Sequence, residues 1–102
     1  MPSPFAKRLE GKTIVITGAS SGIGRSTAFE FAKTCSTILR LILTARRIEQ
    51  LDRISKAIVD EVGDGVKVLP MQLDVSKPDQ IRGFVDSLPG EWRDIDILVN
   101  NA

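Results

Sequence analysis

Apolar positions fall into two kinds of run that take turns along the chain. Residues 13–17 read TIVIT, a short β-branched stretch that predicts a buried strand. Residues 39–45 (LRLILTA), 66–73 (VKVLPMQL) and 95–99 (IDILV) predict three more. Pro70 counts against the third of these, because proline has no N–H to give to a ladder and is placed mainly at sheet edges. Between the strands the period changes. Residues 25–33 (RSTAFEFAK) read as a helix with Ala28, Phe31 and Ala32 on one side. Ile48, Leu51, Ile54, Ile58 and Val62 recur at steps of three and four, which predicts an amphipathic helix over 48–62, ended by Gly63 and Gly65. Ser76 followed by Pro78 and Asp79 predicts a third helix with a serine cap and a proline in its first turn. Ile81, Phe84, Val85 and Leu88 give that helix an apolar face, and Pro89-Gly90 stops it.

Strands alternating with helices predict an α/β fold, a Rossmann-type doubly wound parallel sheet. The connections are long enough to cross over the sheet, and such crossovers are right-handed. Continuous apolar strands fit a sheet covered on both faces. Residues 1–102 read as one unit, with 1–10 expected to be a flexible N-terminal arm.

Candidate chemistry begins where the first strand breaks. Residues 17–24 read TGASSGIG, between a strand and a helix. Gly18, Gly22 and Gly24 remove Cβ atoms where a phosphate-bearing ligand would press against backbone. The first helical turn offers unpaired N–H groups at the positive end of its dipole, and Ser20 and Ser21 add hydroxyl donors. The plainer reading is a tight turn. The spacing G-x-x-x-G-x-G differs from the common G-x-G-x-x-G fingerprint, and no Lys-Ser/Thr pair follows to make a Walker loop.

The end of the second strand selects between dinucleotides. An NAD site places a carboxylate there, on the ribose 2′-hydroxyl. This chain has Ala45, Arg46 and Arg47. A guanidinium grips a 2′-phosphate through paired charge-assisted hydrogen bonds, so the sequence predicts NADP(H) over NAD(H). The alternative is a solvated basic pair, although cations at a helix N-terminus oppose its dipole.

Composition narrows the classes. Lys plus Arg is 14 and Asp plus Glu 13, a net charge of +1, which gives no whole-chain reason for a nucleic-acid or anionic-membrane partner. The chain has no His, which excludes a His base and His metal ligands from these residues. Cys35 is the single cysteine, so no internal disulfide or cysteine metal cluster forms, and no metal site is expected. No segment has the apolar length of a signal peptide or membrane helix, so the expectation is a cytoplasmic protein. Trp92 and Cys35 read as packing residues.

Taken together, TGASSGIG (17–24), LDV (73–75) and NNA (100–102) resemble the short-chain dehydrogenase/reductase family in its classical branch. More narrowly, LILTARRIEQLDRI and DIDILVNNA are similar to fungal NADP-dependent 3-hydroxy acid (serine) dehydrogenases. The resemblance implies a strand order of 3-2-1-4 for this portion. It implies that Gly18, Ser20, Ser21, Gly22, Ile23 and Gly24 line the phosphates and that Arg46 and Arg47 hold the 2′-phosphate. It further implies that Asp74 accepts from the adenine amino group beside the Val75 backbone, that Asn100 and Ala102 lie along the adenosine ribose, and that Asn101 braces the sheet. Plainer readings stand beside these: a turn or cap residue for Asp74, a loop after a strand for Asn100 and Asn101.

The family transfers hydride between nicotinamide and a carbonyl or alcohol, with a Ser, a Tyr and a Lys beyond the fourth strand. This chain has no Tyr, and Ser20 and Ser21 belong to the phosphate loop, so no catalytic residue is expected in it. The expectation is therefore a truncated, N-terminal cofactor-binding portion. Its fourth strand is left as an edge open to aggregation. A small alcohol or carbonyl substrate, and the family's homo-oligomeric assembly, are implied for an intact enzyme only. The alternative is a non-catalytic NADP-binding or interaction module.

Overall fold

The computed structural model describes residues 9–20, 22–35 and 38–101. The elements run β1 (Lys12–Ile16), α1 (Gly22–Thr34), β2 (Leu39–Ala45), α2 (Ile48–Val62), β3 (Val66–Gln72), α3 (Pro78–Phe84), a 3-10 turn (Gly90–Trp92) and β4 (Ile97–Val99). The strands form one four-stranded sheet in the order β3-β2-β1-β4, every pair parallel. This is the doubly wound arrangement expected from the alternation of runs. Pro70 sits opposite Leu43 in β3, an edge strand, where its missing N–H leaves no inner ladder broken.

Side-chain alternation sends each strand's residues to two unequal cores. Ile14, Ile16, Leu41 and Leu43 face α1 and α2 and pack with Ala28, Ala32, Leu51, Ile54 and Ile58. Fully burying one such Ile or Leu contributes about 1.5–3 kcal/mol. Val15 and Ile42 point to the other face and meet Leu88 and Trp92, with Phe84, Leu69 and Ile95 alongside. The helix α2 spans the range its period predicts, and Gly63 closes it at φ 92° with its N–H on the Val59 carbonyl at 2.8 Å. Cys35 and Trp92 are both buried, as packing residues should be. Of the expected N-terminal arm, residues 1–8 lie outside the described residues, and Leu9 is buried in the larger core.

The third helix and the fourth strand depart from the reading of the sequence, and β1, α1 and β3 shift by one to three residues at their ends. Ser76 is not the cap of α3. Lys77 occupies that position without a side-chain bond, and the Ser76 hydroxyl donates to Asp74 Oδ1 at 2.6 Å, a stronger acceptor than an amide carbonyl. The same helix stops at Phe84, short of Leu88, because the Ser87 hydroxyl donates to the Phe84 carbonyl at 2.6 Å and Arg93 Nε donates to the Leu88 carbonyl at 3.0 Å. Its apolar face is correspondingly incomplete, since Ile81 and Val85 are exposed while Leu88 is buried beyond the helix end. Strand β4 begins at Ile97 and not at Ile95, since Asp96 Oδ2 accepts the Thr13 N–H at 2.9 Å in place of a ladder carbonyl.

Candidate functional site

The chain runs β1, β2, β3 outward in one direction and then returns to set β4 on the other side of β1. Open α/β sheets bind ligands outside the carboxyl ends of their strands at such a reversal. The loop after β1 lies there. Gly18 and Gly22 both have φ of 61°, a left-handed conformation that costs a residue with a Cβ about 1–2 kcal/mol. The loop is stitched down on two sides. Thr17 N–H donates to the Val99 carbonyl at 3.0 Å, and Ala19 N–H donates to the Thr44 carbonyl at 3.0 Å.

The glycines serve different ends. A Cβ on Gly22 would meet nothing within 4 Å, so its backbone is open to approach. A Cβ on Gly24 would collide with the Gly18 carbonyl oxygen and come to 2.7 Å from Asn101 Nδ2. Gly24 therefore lets α1 pack against its own loop, and the space that the sequence left for a ligand is filled by protein.

Beside the loop opens a cleft of about 410 Å³. Gly18 and Ser20 form one wall, and Ala45 and Arg46, at the end of β2, form the next. Leu73, Asp74, Val75 and Ser76, after β3, form the third, with Asn101 at the end of β4 closing it. Five residues expected to bind the cofactor thus meet here, Gly18, Ser20, Arg46, Asp74 and Val75, together with Asn101, expected to brace the sheet. Arg47 is exposed at the N-cap position of α2 and does not line the cleft. Gly22 and Ile23 line a separate, mainly apolar groove along α1, where Ile23 is 75% exposed. Asn100 is turned to the loop, its Oδ1 accepting from the Thr17 hydroxyl at 3.1 Å. Ser21 and Ala102 lie outside the described residues.

Asp74 holds its own turn as well as facing the cleft. Its Oδ1 accepts from Ser76 N–H at 3.0 Å and from the Ser76 hydroxyl, and its N–H donates to Gln80 Oε1 at 2.9 Å. The Ser76 hydroxyl, then the Ser76 N–H, hold the carboxyl below its ordinary pKa, with Lys77 and Arg46 adding weaker attraction. Oδ2 accepts no hydrogen bond among the described residues. The turn and the binding reading of Asp74 are thus compatible, one oxygen serving each. Arg46 is exposed, its carbonyl held by Gln72 Nε2 at 3.0 Å, and no carboxylate among the described residues pairs with its guanidinium.

Thr17, which closes the predicted first strand and opens the TGASSGIG motif, is the joint of the site. Its hydroxyl oxygen accepts the Asn101 N–H at 2.9 Å, and its one proton is shared between Asn100 Oδ1 and the Val99 carbonyl at 3.4 Å. Asn101 Nδ2 reaches the Gly18 carbonyl at 3.5 Å. The bracing role implied for Asn101 is thus directed at the loop end of β1. The signal for Thr17 in the sequence is a hydroxyl directly before the first glycine.

This arrangement has known counterparts. A family model of short chain dehydrogenases matches residues 12–102. An NADP-dependent 3-hydroxy acid dehydrogenase of Schizosaccharomyces pombe is 54% identical over 95 residues, covering 93% of this chain and 35% of that protein. The 11-beta-hydroxysteroid dehydrogenase 1A of Arabidopsis thaliana is 44% identical over 98 residues, covering 96% of this chain and 27% of that protein. Among solved structures, L-sorbose reductase of Gluconobacter frateurii, complexed with NADPH and L-sorbose, superposes with a TM-score of 0.79 at 37% identity over 92% of this chain and 34% of its own. A metagenomic short-chain oxidoreductase in complex with NADP gives a TM-score of 0.79 at 34% identity, over 92% of this chain and 40% of its own. The chain thus spans about a third of the length of the relatives it matches. A loop stitched to two strand ends, an open sheet wound both ways and a match over nearly the whole sequence agree: the chain belongs to the short-chain dehydrogenase family.

Proposed function

We propose that residues 1–102 are the NADP(H)-binding portion of an oxidoreductase that moves hydride between nicotinamide and a carbonyl or alcohol substrate. The observation that carries this reading is the cleft in which Gly18, Ser20, Arg46, Asp74 and Val75 converge with no carboxylate at the end of β2. Its size suits the adenosine half of a dinucleotide. The relatives named as NADP-dependent, and the NADPH and NADP complexes among similar structures, support the same choice.

The donor set fits that group. Among the described residues no carboxylate pairs with the Arg46 guanidinium, which is available for the 2′-phosphate, and Arg47 stands next to it at the head of α2. Asp74 Oδ2 accepts from the adenine amino group, with the Val75 backbone alongside. Ser20, Ser21, Gly22, Ile23 and the loop N–H groups receive the pyrophosphate at the N-terminus of α1, whose shape Gly18 and Gly24 maintain. Asn100 and Ala102 border the ribose. When bound, NADP(H) supplies the hydride chemistry. These residues bind and orient it. They include no Tyr to exchange a substrate proton, so we assign none of them a catalytic role. The substrate, a homo-oligomeric assembly and a cytoplasmic location belong to the same reading of the whole protein. Among the described residues, no helix is long and apolar enough to cross a membrane.

The test is a comparison of NADPH and NADH affinities by fluorescence titration. NADPH binds tighter in this account, and Arg46→Asp reverses the order by repelling the 2′-phosphate. Equal or tighter binding of NADH by the unsubstituted protein contradicts it.

A further inference from the structure

Across Ser20 from the cleft lies a second recess, of about 300 Å³, between α1 and α2. Arg25 reaches it from α1, and Gln50 and Arg53 from α2, over a floor of Ile54 and Ala57. Ser20 lines both hollows, so the two are adjacent. No acidic side chain among the described residues lines the recess. Among the described residues, neither Arg25 nor Arg53 forms an ion pair, although Glu49 and Asp52 lie on the same helix as Arg53. Two guanidinium groups on the two helices thus line one recess, and an anion held there would be attracted to both. The Arg25 guanidinium lies over the Phe29 ring, 4.8 Å from its centroid. Stacking on a ring face restrains a guanidinium while leaving its in-plane N–H groups free to donate.

We infer that Arg25 and Arg53 form a second basic wall of the nucleotide site and take the phosphate on the adenosine ribose from the side opposite Arg46. The inference rests on the proposed NADP(H) reading and extends it: specificity for the phosphorylated ribose lies in two helices as well as in the loop after β2. Arg25 is tethered in advance and loses little freedom on binding. Arg53 stands on an exposed face of α2, one and a half turns beyond its start, and closes over the phosphate. Gln50 completes the donor set between them.

The test uses Arg25→Gln, Arg53→Gln and the double variant, with NADPH, NADH and 2′,5′-ADP as probes and circular dichroism as the check on folding. Each single variant should bind NADPH and 2′,5′-ADP about tenfold more weakly, the loss expected for one charge-assisted hydrogen bond. NADH affinity should stay within about twofold, since neither group faces the shared adenosine and pyrophosphate atoms. Unchanged NADPH affinity in all three folded variants overturns the inference and leaves the Arg46 site standing. Equal losses for NADPH and NADH also overturn it, by showing that the pair supports the loop and not the phosphate. Absence of saturable NADPH binding by the folded, unsubstituted protein overturns the underlying reading and this inference with it. Arg53→Gln, at an exposed helix position, keeps the test available if the double variant does not fold.

Discussion

The Asn101 amide N–H donates to Thr17 Oγ1 at 2.9 Å, joining the ends of two neighbouring parallel strands just where the sheet reverses direction. The bond holds the glycine loop and the residues after β4 in one register. Asn101 also reaches the Gly18 carbonyl, so a single side chain and a single hydroxyl fix both walls of the reversal point.

Thr17→Val keeps the shape of this joint and removes its acceptor. The Asn101 N–H and Asn100 Oδ1 then lose their partner in a site where Thr17 is only 5% exposed. Leaving such groups unmatched costs about 1–3 kcal/mol. Urea denaturation should show that loss, and Thr17→Ser should recover most of it. A Thr17→Val variant as stable as the parent removes the joint from the account.

Gly24→Ala tests the packing role of the third glycine. The added methyl meets the Gly18 backbone, which cannot rotate away, so the cost sits at or above the upper end of ordinary overpacking, about 3 kcal/mol. Gly22→Ala meets open space and pays only for its φ of 61°, about 1–2 kcal/mol. The order of the two denaturation midpoints is the measurement, with Gly24→Ala the lower.

How far the sequence could be read follows from what decides each element. The strand over 39–45 and the helix over 48–62 have the bounds their patterns predict, because burial of Leu41, Leu43, Leu51 and Ile58 settles them and burial is written in the period. The third helix and the fourth strand differ at their ends because the Asp74 carboxylate takes the Ser76 hydroxyl, and Ser87 and Asp96 take up backbone groups, through contacts that no periodicity reveals. The glycine loop was legible as a motif. Its division of labour, with Gly22 open and Gly24 filled, needed the packing of α1. Arg46 and Asp74, 28 positions apart in sequence, share a cleft only because β2 and β3 are neighbours.

The carboxyl of Asp74 should titrate below the ordinary aspartate range, held there chiefly by the Ser76 hydroxyl. A depressed folded pKa means that the turn's contribution is present above the unfolded pKa and lost as pH falls through the folded one. The 74–76 turn should therefore persist at mildly acidic pH and loosen only in strong acid. Carbon-detected NMR of the Asp74 carboxyl measures this, and Ser76→Ala should raise its midpoint. A normal midpoint in the parent contradicts the hydrogen-bond geometry.

Leu98 is 65% exposed on β4, an edge strand of the sheet. Exposed apolar edges template pairing between chains. For residues 1–102 alone, Leu98→Lys should reduce self-association with little change in stability, read by light scattering and urea denaturation side by side. Undiminished association assigns any aggregation to another surface.

The most direct test of the central claim is an amide NMR titration of this chain with NADPH. The account predicts saturable shifts concentrated at Gly18, Ser20, Arg46, Asp74 and Val75, with the shift at Arg46 much reduced when NADH replaces NADPH. Shifts that avoid those five amides, or a pattern at Arg46 identical for the two nucleotides, would contradict it.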